Sequence, residues 1–333
     1  MALHTKEELR QKQALPLDIK VKMTEQRIKE WVDYWGLDSV YVSFSGGKDS
    51  TVLLDIARNV FPNMKAMFID TGLEYPEVRD FVKTFDNVDW IKPKLTFKET
   101  IKRHGYPFIS KECSQKIHEA KTKPHGYTEK YFTPYELGGK KPQYNYSKYK
   151  FMINSPFDFG RGCCIVMKKT PGHDYTKKTG RHPITGQTCE ESLLRETTWL
   201  KFGCNMFDNK TPKSNPMSFW LEQDILKYIK INNLPICSIY GDVVIDYEKE
   251  NNIDGQLSLL HDRPLKTSKC DRTGCMFCGY GCHLEKSPNR FEMMKHTHPK
   301  QYEYIFRDWE KGGLGYKTVI DWLNENGNLN IKY

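Results

Sequence analysis

Apolar positions along this chain switch between two periods. Val40 to Phe44 is a short apolar run that stops at two glycines, and Thr51 to Arg58 then spaces its apolar residues as a helix does. The pattern predicts an amphipathic helix over 24–36, with Thr24 as N-cap and Gly36 as stop. It then predicts a strand over 38–44, a helix over 49–60, a strand over 65–70 and a helix over 76–85. A short strand at 88–92 and a helix at 96–104 follow. Helical spacing returns at 190–200, with Glu190 and Glu191 suited to a first turn, and at 218–231, with Ser218 as cap. In the second of these, Trp220, Ile225 and Tyr228 read as core. Helices over 299–310 and 316–326 close the pattern. The stretch 121–160 is rich in Gly, Pro, Lys and Tyr without clear period and is expected to leave the core as an excursion. Alternating strands and helices imply an α/β fold, a doubly wound parallel sheet, with a cysteine-rich, mainly helical C-terminal region. The expected domains are an N-terminal helical segment (1–37), an α/β domain (38–240) and the cysteine-rich region (241–333) packed on it.

Composition narrows the class. The 333 residues are 38% hydrophobic and 28% charged, as a folded globular chain is. No apolar run approaches the ~20 residues that span a bilayer, and the N-terminus lacks a signal-peptide core, so no membrane role and a cytoplasmic location are expected. The net charge of +9 suits a polyanionic partner. Basic residues crowd between Lys111 and Lys150, interleaved with Tyr127, Tyr131, Tyr135, Tyr144, Tyr146 and Tyr149. Basic and aromatic surface together is what single-stranded nucleic acid uses; a solvated insertion with ordinary surface tyrosines is the plainer alternative. A partner protein as acceptor and assembly into a homo-oligomer both stay open.

Two features carry chemistry. Ser43 to Ser50 is a strand end, a glycine turn and a helix start, which turns unpaired N–H groups and a positive helix end toward an anion. Gly46 and Gly47 admit phosphate oxygens close to the backbone, and Lys48 adds a mobile charge. The hydroxyls of Ser45 and Ser50 suit phosphate oxygens, while Asp49 suits orienting the loop or holding Mg²⁺. The spacing is not that of a Walker loop. Asp70-Thr71-Gly72 follows the next strand and is expected to share the same crevice, since such sheets bind ligands beyond their strands' carboxyl ends. Second, Cys163 and Cys164 are adjacent, and Cys270, Cys275, Cys278 and Cys282 fall within thirteen residues. In a reducing compartment such clusters favour metal or redox chemistry.

The Ser45–Ser50 turn resembles the Ser-Gly-Gly-x-Asp-Ser loop of the PP-loop, or adenine-nucleotide hydrolase-like, superfamily. Phe68 to Glu77 resembles the Asp-Thr-Gly segment of phosphoadenosine phosphosulfate reductases. Gly186 to Arg195 resembles their Gly-x-x-x-Glu-Ser-x-x-Arg segment, and Trp220 to Pro235 their Trp-x-x-x-Asp-Ile helix before Leu-Pro. Cys163 to Lys169 is similar to the Cys-Cys-x-x-Arg-Lys segment of the iron–sulfur adenylylsulfate reductases, with Cys275-Met276-Phe277-Cys278 as the matching Cys-x-x-Cys. The likeness covers about residues 38–310 and is to the reductase-like group found in bacteria, phages and mobile elements.

The resemblance implies ATP or a related adenine nucleotide bound by Ser43, Ser45, Gly46, Gly47, Lys48, Asp49, Ser50, Asp70, Thr71, Gly72 and Arg195. It gives Lys168 the place of the family's lysine near cluster and substrate, beside Lys48 and Asp49 as catalytic residues. Cys163, Cys164, Cys275 and Cys278 become the first choice for a [4Fe–4S] cluster, with Cys204, Cys270 and Cys282 as alternates. A zinc knuckle of Cys270, Cys275, Cys278 and Cys282 or His283 is the second reading, and unligated thiols the third. Cys113, Cys189 and Cys237 read as core. Two departures bear on function. The segment after Cys282 holds no cysteine where sulfonucleotide reductases of this type carry their nucleophile, and Met167 and Thr188 stand where relatives place arginine. The expected activity is therefore ATP-dependent activation and sulfur transfer to an acceptor. A sulfonucleotide reductase with another thiol, and a non-catalytic nucleotide-binding subunit, are the alternatives.

Overall fold

Val40, Tyr41 and Val42 are at most 2% exposed, so their strand is covered on both faces, as a central parallel strand must be. In the computed structural model, which describes residues 3–123, 128–250 and 263–333, this strand lies in the middle of a six-stranded sheet. The strands are β1 (Val40–Ser43), β2 (Ala66–Ile69), β3 (Val88–Ile91), β4 (His182–Thr185), β5 (Asn205–Met206) and β6 (Lys213–Ser214). Their order is β3-β2-β1-β4-β6-β5, parallel throughout except for the antiparallel β5–β6 pair. The doubly wound parallel sheet read from the sequence is present, with an antiparallel edge added.

The chain divides into two compact units. The sheet unit comprises residues 1–70, 74–92 and 171–274; the cysteine unit comprises 71–73, 93–170 and 275–333. The division is discontinuous and departs from the expected boundaries at 37/38 and 240/241. The reason is pairing across the sequence: Phe108–Ile109 runs parallel with Gly279–Tyr280, tying 93–170 to the C-terminal segment. Conversely, Val243–Ile245 pairs with Leu265–Thr267 inside the sheet unit.

Helices Lys48–Val60, Pro76–Lys83 and Phe97–His104 form close to where their apolar spacing puts them. Three expected starts are corrected. The first long helix begins at Leu17, not 24, and Thr24 lies inside it, accepting from the Trp220 indole N–H at 2.9 Å. The helix expected at 218 begins at Glu222, because Asp224 accepts from Leu221 N–H at 2.7 Å while Ser218 donates to the Asn215 carbonyl. The helix expected at 190 begins at Leu193, capped by the Ser192 hydroxyl, with Glu190 and Glu191 in a separate turn. Trp220, Ile225 and Tyr228 are buried core, and so are Cys113, Cys189 and Cys237.

The cysteine unit is built from short helices, among them Lys111–Thr122, Arg290–Thr297, Pro299–Phe306 and Tyr316–Gly327, around Phe108, Phe291 and Tyr316. The Tyr-rich excursion is a chain of short turns over 135–154 within this unit; Tyr127 lies outside the described residues. Among the described residues no helix is long and apolar enough to cross a membrane.

Candidate functional site

In the sheet unit, β1 is followed by buried Phe44, and the chain turns through Ser45–Gly47 into the helix that starts at Lys48. Gly46 has φ +71°, and a Cβ there would lie 2.8 Å from both Val78 Cγ1 and Val82 Cγ2, so only glycine fits. Within the turn, Ser45 N–H donates to Ser50 Oγ at 3.1 Å, and Gly47 N–H donates to Ser45 Oγ at 3.3 Å. Ser50 and Thr51 hydroxyls both donate to the Gly47 carbonyl. The two serines expected to contact phosphate thus also brace the loop. Gly186 follows β4 and approaches the Asp49 carbonyl so closely that a Cβ would lie 3.0 Å from it. Ser43 closes β1, level with Met67 and Thr185 on the flanking strands.

Charges gather round this turn. Lys48 is 4% exposed, and its ammonium donates to the Asp271 carbonyl at 2.7 Å and pairs with Glu222 at 3.2 Å. Its backbone N–H donates to the Tyr240 hydroxyl, which shares a 2.7 Å hydrogen bond with Thr273. Burial pushes the Asp49 carboxyl up; Lys48, Arg272 and Arg195 act the other way. Arg195 is ion-paired with Glu191, and Arg272 stands 4.0 Å from the same carboxylate. Asp70, at the end of β2, is 5% exposed and accepts from Arg79 Nη2 at 2.9 Å. Sequence reasoning missed Glu222, Tyr240, Asp271, Arg272 and Thr273. Arg272 had a signal, a lone arginine inside the cysteine-rich segment; the others carried none.

In the cysteine unit, Thr71 accepts from Leu73 N–H at 3.1 Å, and Leu73 carbonyl accepts from Met276 N–H at 2.8 Å. Gly72, between them, has φ +72°. Cys163, Cys164, Cys275 and Cys278 line one narrow cavity with Lys168, and the remaining wall is Leu73, Phe97, Pro107 and Met167. The Cys-x-x-Cys turn is held from behind: the buried Tyr316 hydroxyl donates to Phe277 carbonyl at 2.6 Å, and Arg290 donates to Cys278 carbonyl at 2.7 Å. Ile109, a β-branched residue at φ +64°, turns its carbonyl to accept Gly281 N–H at 2.9 Å. Such a backbone costs about 1–3 kcal/mol and persists where surroundings impose it. Ile165–Lys169 forms a π turn, a feature common at functional sites.

Cys163 is pushed up by its hydrogen bond to Cys164 and by burial. Cys164 is held low, first by that hydrogen bond and then by Lys111 and Lys168. A soft, all-thiol donor set with apolar walls and a neighbouring ammonium fits an iron–sulfur cluster. Among the described residues no three His, Cys, Asp or Glu side chains are pre-set to hold one metal ion. Of the alternates, Cys282 is buried in the cysteine unit with its thiol raised to about 12 by burial, and it does not line the cavity. Cys204 and Cys270 belong to the sheet unit. Met167, which replaces an expected arginine, is 2% exposed, and its sulfur accepts from Thr100 at 3.4 Å.

A family model described as the phosphoadenosine phosphosulfate reductase domain matches residues 39–280. An adenosine 5'-phosphosulfate reductase of Oceanobacillus iheyensis is 29% identical over 223 residues, 65% of this chain and 72% of that protein. An uncharacterized protein of Methanocaldococcus jannaschii is 33% identical over 118 residues, 34% of this chain, and the match spans 28% of that relative's length. Among solved structures, a phosphoadenylyl-sulfate reductase from Candida auris in a phosphate complex aligns at TM-score 0.38 and 16% identity, over 70% of this chain and 90% of that one.

Proposed function

The chain belongs to the phosphoadenosine phosphosulfate reductase domain family, and from that premise we propose that it is an adenine-nucleotide-dependent sulfur-transfer enzyme whose acceptor is a nucleic acid. The observation that carries this reading is the concentration of Lys48, Arg195 and Arg272 about the Ser45–Ser50 turn and Asp49. Three cations at one turn suit a triphosphate and its pyrophosphate leaving group. The Gly47 and Lys48 N–H groups and the Ser45 and Ser50 hydroxyls would bind phosphate oxygens once Lys48 exchanges Glu222 for the ligand. Asp49 would hold Mg²⁺ on them. An acceptor oxygen attacks the α-phosphorus, the bond to pyrophosphate breaks, and pyrophosphate leaves with the electron pair. A hydrosulfide donor then attacks the activated carbon, the carbon–oxygen bond to the adenylyl group breaks, and AMP leaves with the electron pair as the carbon–sulfur bond forms. Cys163, Cys164, Cys275 and Cys278 would hold a [4Fe–4S] cluster, one thiolate to each iron, and such a cluster would supply an electron path. Lys168 on the cavity wall favours the thiolate form of Cys164.

The second reading is sulfonucleotide reduction, favoured by the likeness to the adenosine 5'-phosphosulfate reductase of Oceanobacillus iheyensis. Anaerobically prepared protein incubated with ATP and oligonucleotides, scored for pyrophosphate, separates the two. We expect nucleotide-dependent release that Lys48→Ala lowers by about 100-fold. Sulfite released from adenylylsulfate with a thiol reductant, and no pyrophosphate from ATP, would replace the first reading by the second.

A further inference from the structure

The cysteine unit has a second cavity, of about 220 Å³, whose lining shares no residue with the thiol cavity. Arg103 and His104 reach it from the end of helix Phe97–His104, Gln115 and His118 from helix Lys111–Thr122, and Arg161 from the turn before the cysteine pair. No carboxylate lines it. Two acids stand beside it: Glu112 lies 3.8 Å from Arg161, and Glu119 accepts from the Gln115 amide at 2.9 Å. Among the described residues neither imidazole has a side-chain hydrogen bond or ion pair. The wall is closely built: a Cβ on Gly162 would lie 2.5 Å from His104 Cγ, and one on Gly160 would lie 2.1 Å from the His104 carbonyl oxygen. With the Gln115 amide already serving Glu119, two guanidiniums and two imidazoles remain on a lining that holds no acid of its own, which suits an anion with several acceptor oxygens.

The surroundings say which anion. Residues 93–170 hold sixteen Lys and Arg against six Asp and Glu, so this segment alone exceeds the chain's net +9. One residue along the helix from Gln115, Lys116 lies 4.5 Å from the centre of the Tyr131 ring, and Lys140 lies 5.3 Å from it. Tyr146 is stacked on Tyr131 at 6.4 Å, and Lys148 lies over Tyr149. Tyr135 and Tyr144 are more than half exposed. Cations that track phosphates beside aromatic faces that receive bases are the means of holding a single strand.

We propose that this recess seats one backbone phosphate of a single-stranded nucleic acid, with neighbouring nucleotides on the Lys–Tyr face of the same unit. The proposal deepens the acceptor reading above and rests on it, but binding is measured without ATP or sulfur donor. Fluorescence anisotropy of a labelled single-stranded oligonucleotide with the full chain is the test. The Arg103→Gln/Arg161→Gln variant should bind about tenfold more weakly, and its slope of log affinity against log salt should fall by about 1. Arg103→Lys/Arg161→Lys should restore most of that slope. Lys286→Gln/Lys300→Gln, the same loss of charge elsewhere on the unit, should change affinity less than about twofold. Matching melting curves for all variants exclude unfolding. Equal weakening by the control pair, binding of polyglutamate or inorganic phosphate as tight as that of the oligonucleotide, or no oligonucleotide binding by the native chain would each overturn the proposal. Oligonucleotide binding lost in the glutamine variant, with no sulfur transferred by the native chain, would uphold this site while removing the acceptor reading.

Discussion

Asp49 sits in the first turn of its helix, where an anion is welcome, yet burial raises its carboxyl above the ordinary aspartate range despite Lys48, Arg272 and Arg195. A carboxyl raised in the folded state adds stability below the ordinary aspartate value and withdraws it as pH rises through the folded value. The turn therefore holds an ionised Asp49 at a cost near neutral pH, a cost that a bound cation would offset. Asp49→Asn should melt about 1–3 °C higher than the native chain at pH 7 without nucleotide. The difference should shrink as pH falls toward the aspartate range, and nucleotide turnover should be lost. Parallel melting curves across that pH range test this, and a constant difference would show that the carboxyl is not strained. At the same scale, Gly46, Ser45 and Ser50 were legible because a steep turn leaves a mark in residue type. Glu222 and Tyr240 were not, since nothing local distinguishes them from surface or core.

Elements were placed well where one face meets the core and poorly where a polar residue has a distant partner. Thr24 reads as a cap because threonines are common there, but its hydroxyl serves the Trp220 indole, 196 residues away. Lys20, four residues earlier, is 1% exposed and donates to Asp224 and to the Gln13 carbonyl, both at 2.6 Å. A buried, hydrogen-bonded pair is weak evidence of net stability, but removing one partner strands the other. Lys20→Met should therefore destabilise the sheet unit by about 3–5 kcal/mol, read as a lower urea midpoint. An unchanged midpoint would mean that Asp224 is rescued by Leu221 N–H alone.

Whole-molecule organisation is discontinuous, and this sets how the chain should respond to cutting. Segment 93–170 shares its unit with 275–333, through the pairing of Phe108–Ile109 with Gly279–Tyr280 and the Tyr316 hydroxyl on Phe277. A chain ending at Gly274 should leave 93–170 open to trypsin while 1–70 and 171–250 stay resistant, as mass spectrometry of the fragments would reveal. Equal resistance of 93–170 would show that it folds without its C-terminal partner. Charge follows the same division, with the basic surplus concentrated in 93–170.

By itself the sequence determined the alternation of strands and helices, the glycine turn at Ser45–Ser50 and the two cysteine pairs, because each is written in neighbouring residues. Period, turn chemistry and thiol spacing act over a few bonds. Tertiary structure decided which distant groups meet: Lys48 with Glu222 and Asp271, Cys163 and Cys164 with Cys275 and Cys278, and Arg103 and His118 with Arg161. Those meetings depend on strand order and on which segments exclude water together, and a hydrogen bond across two hundred residues leaves no period in the chain. The alternating α/β fold was readable locally; the composition of its sites required the fold itself.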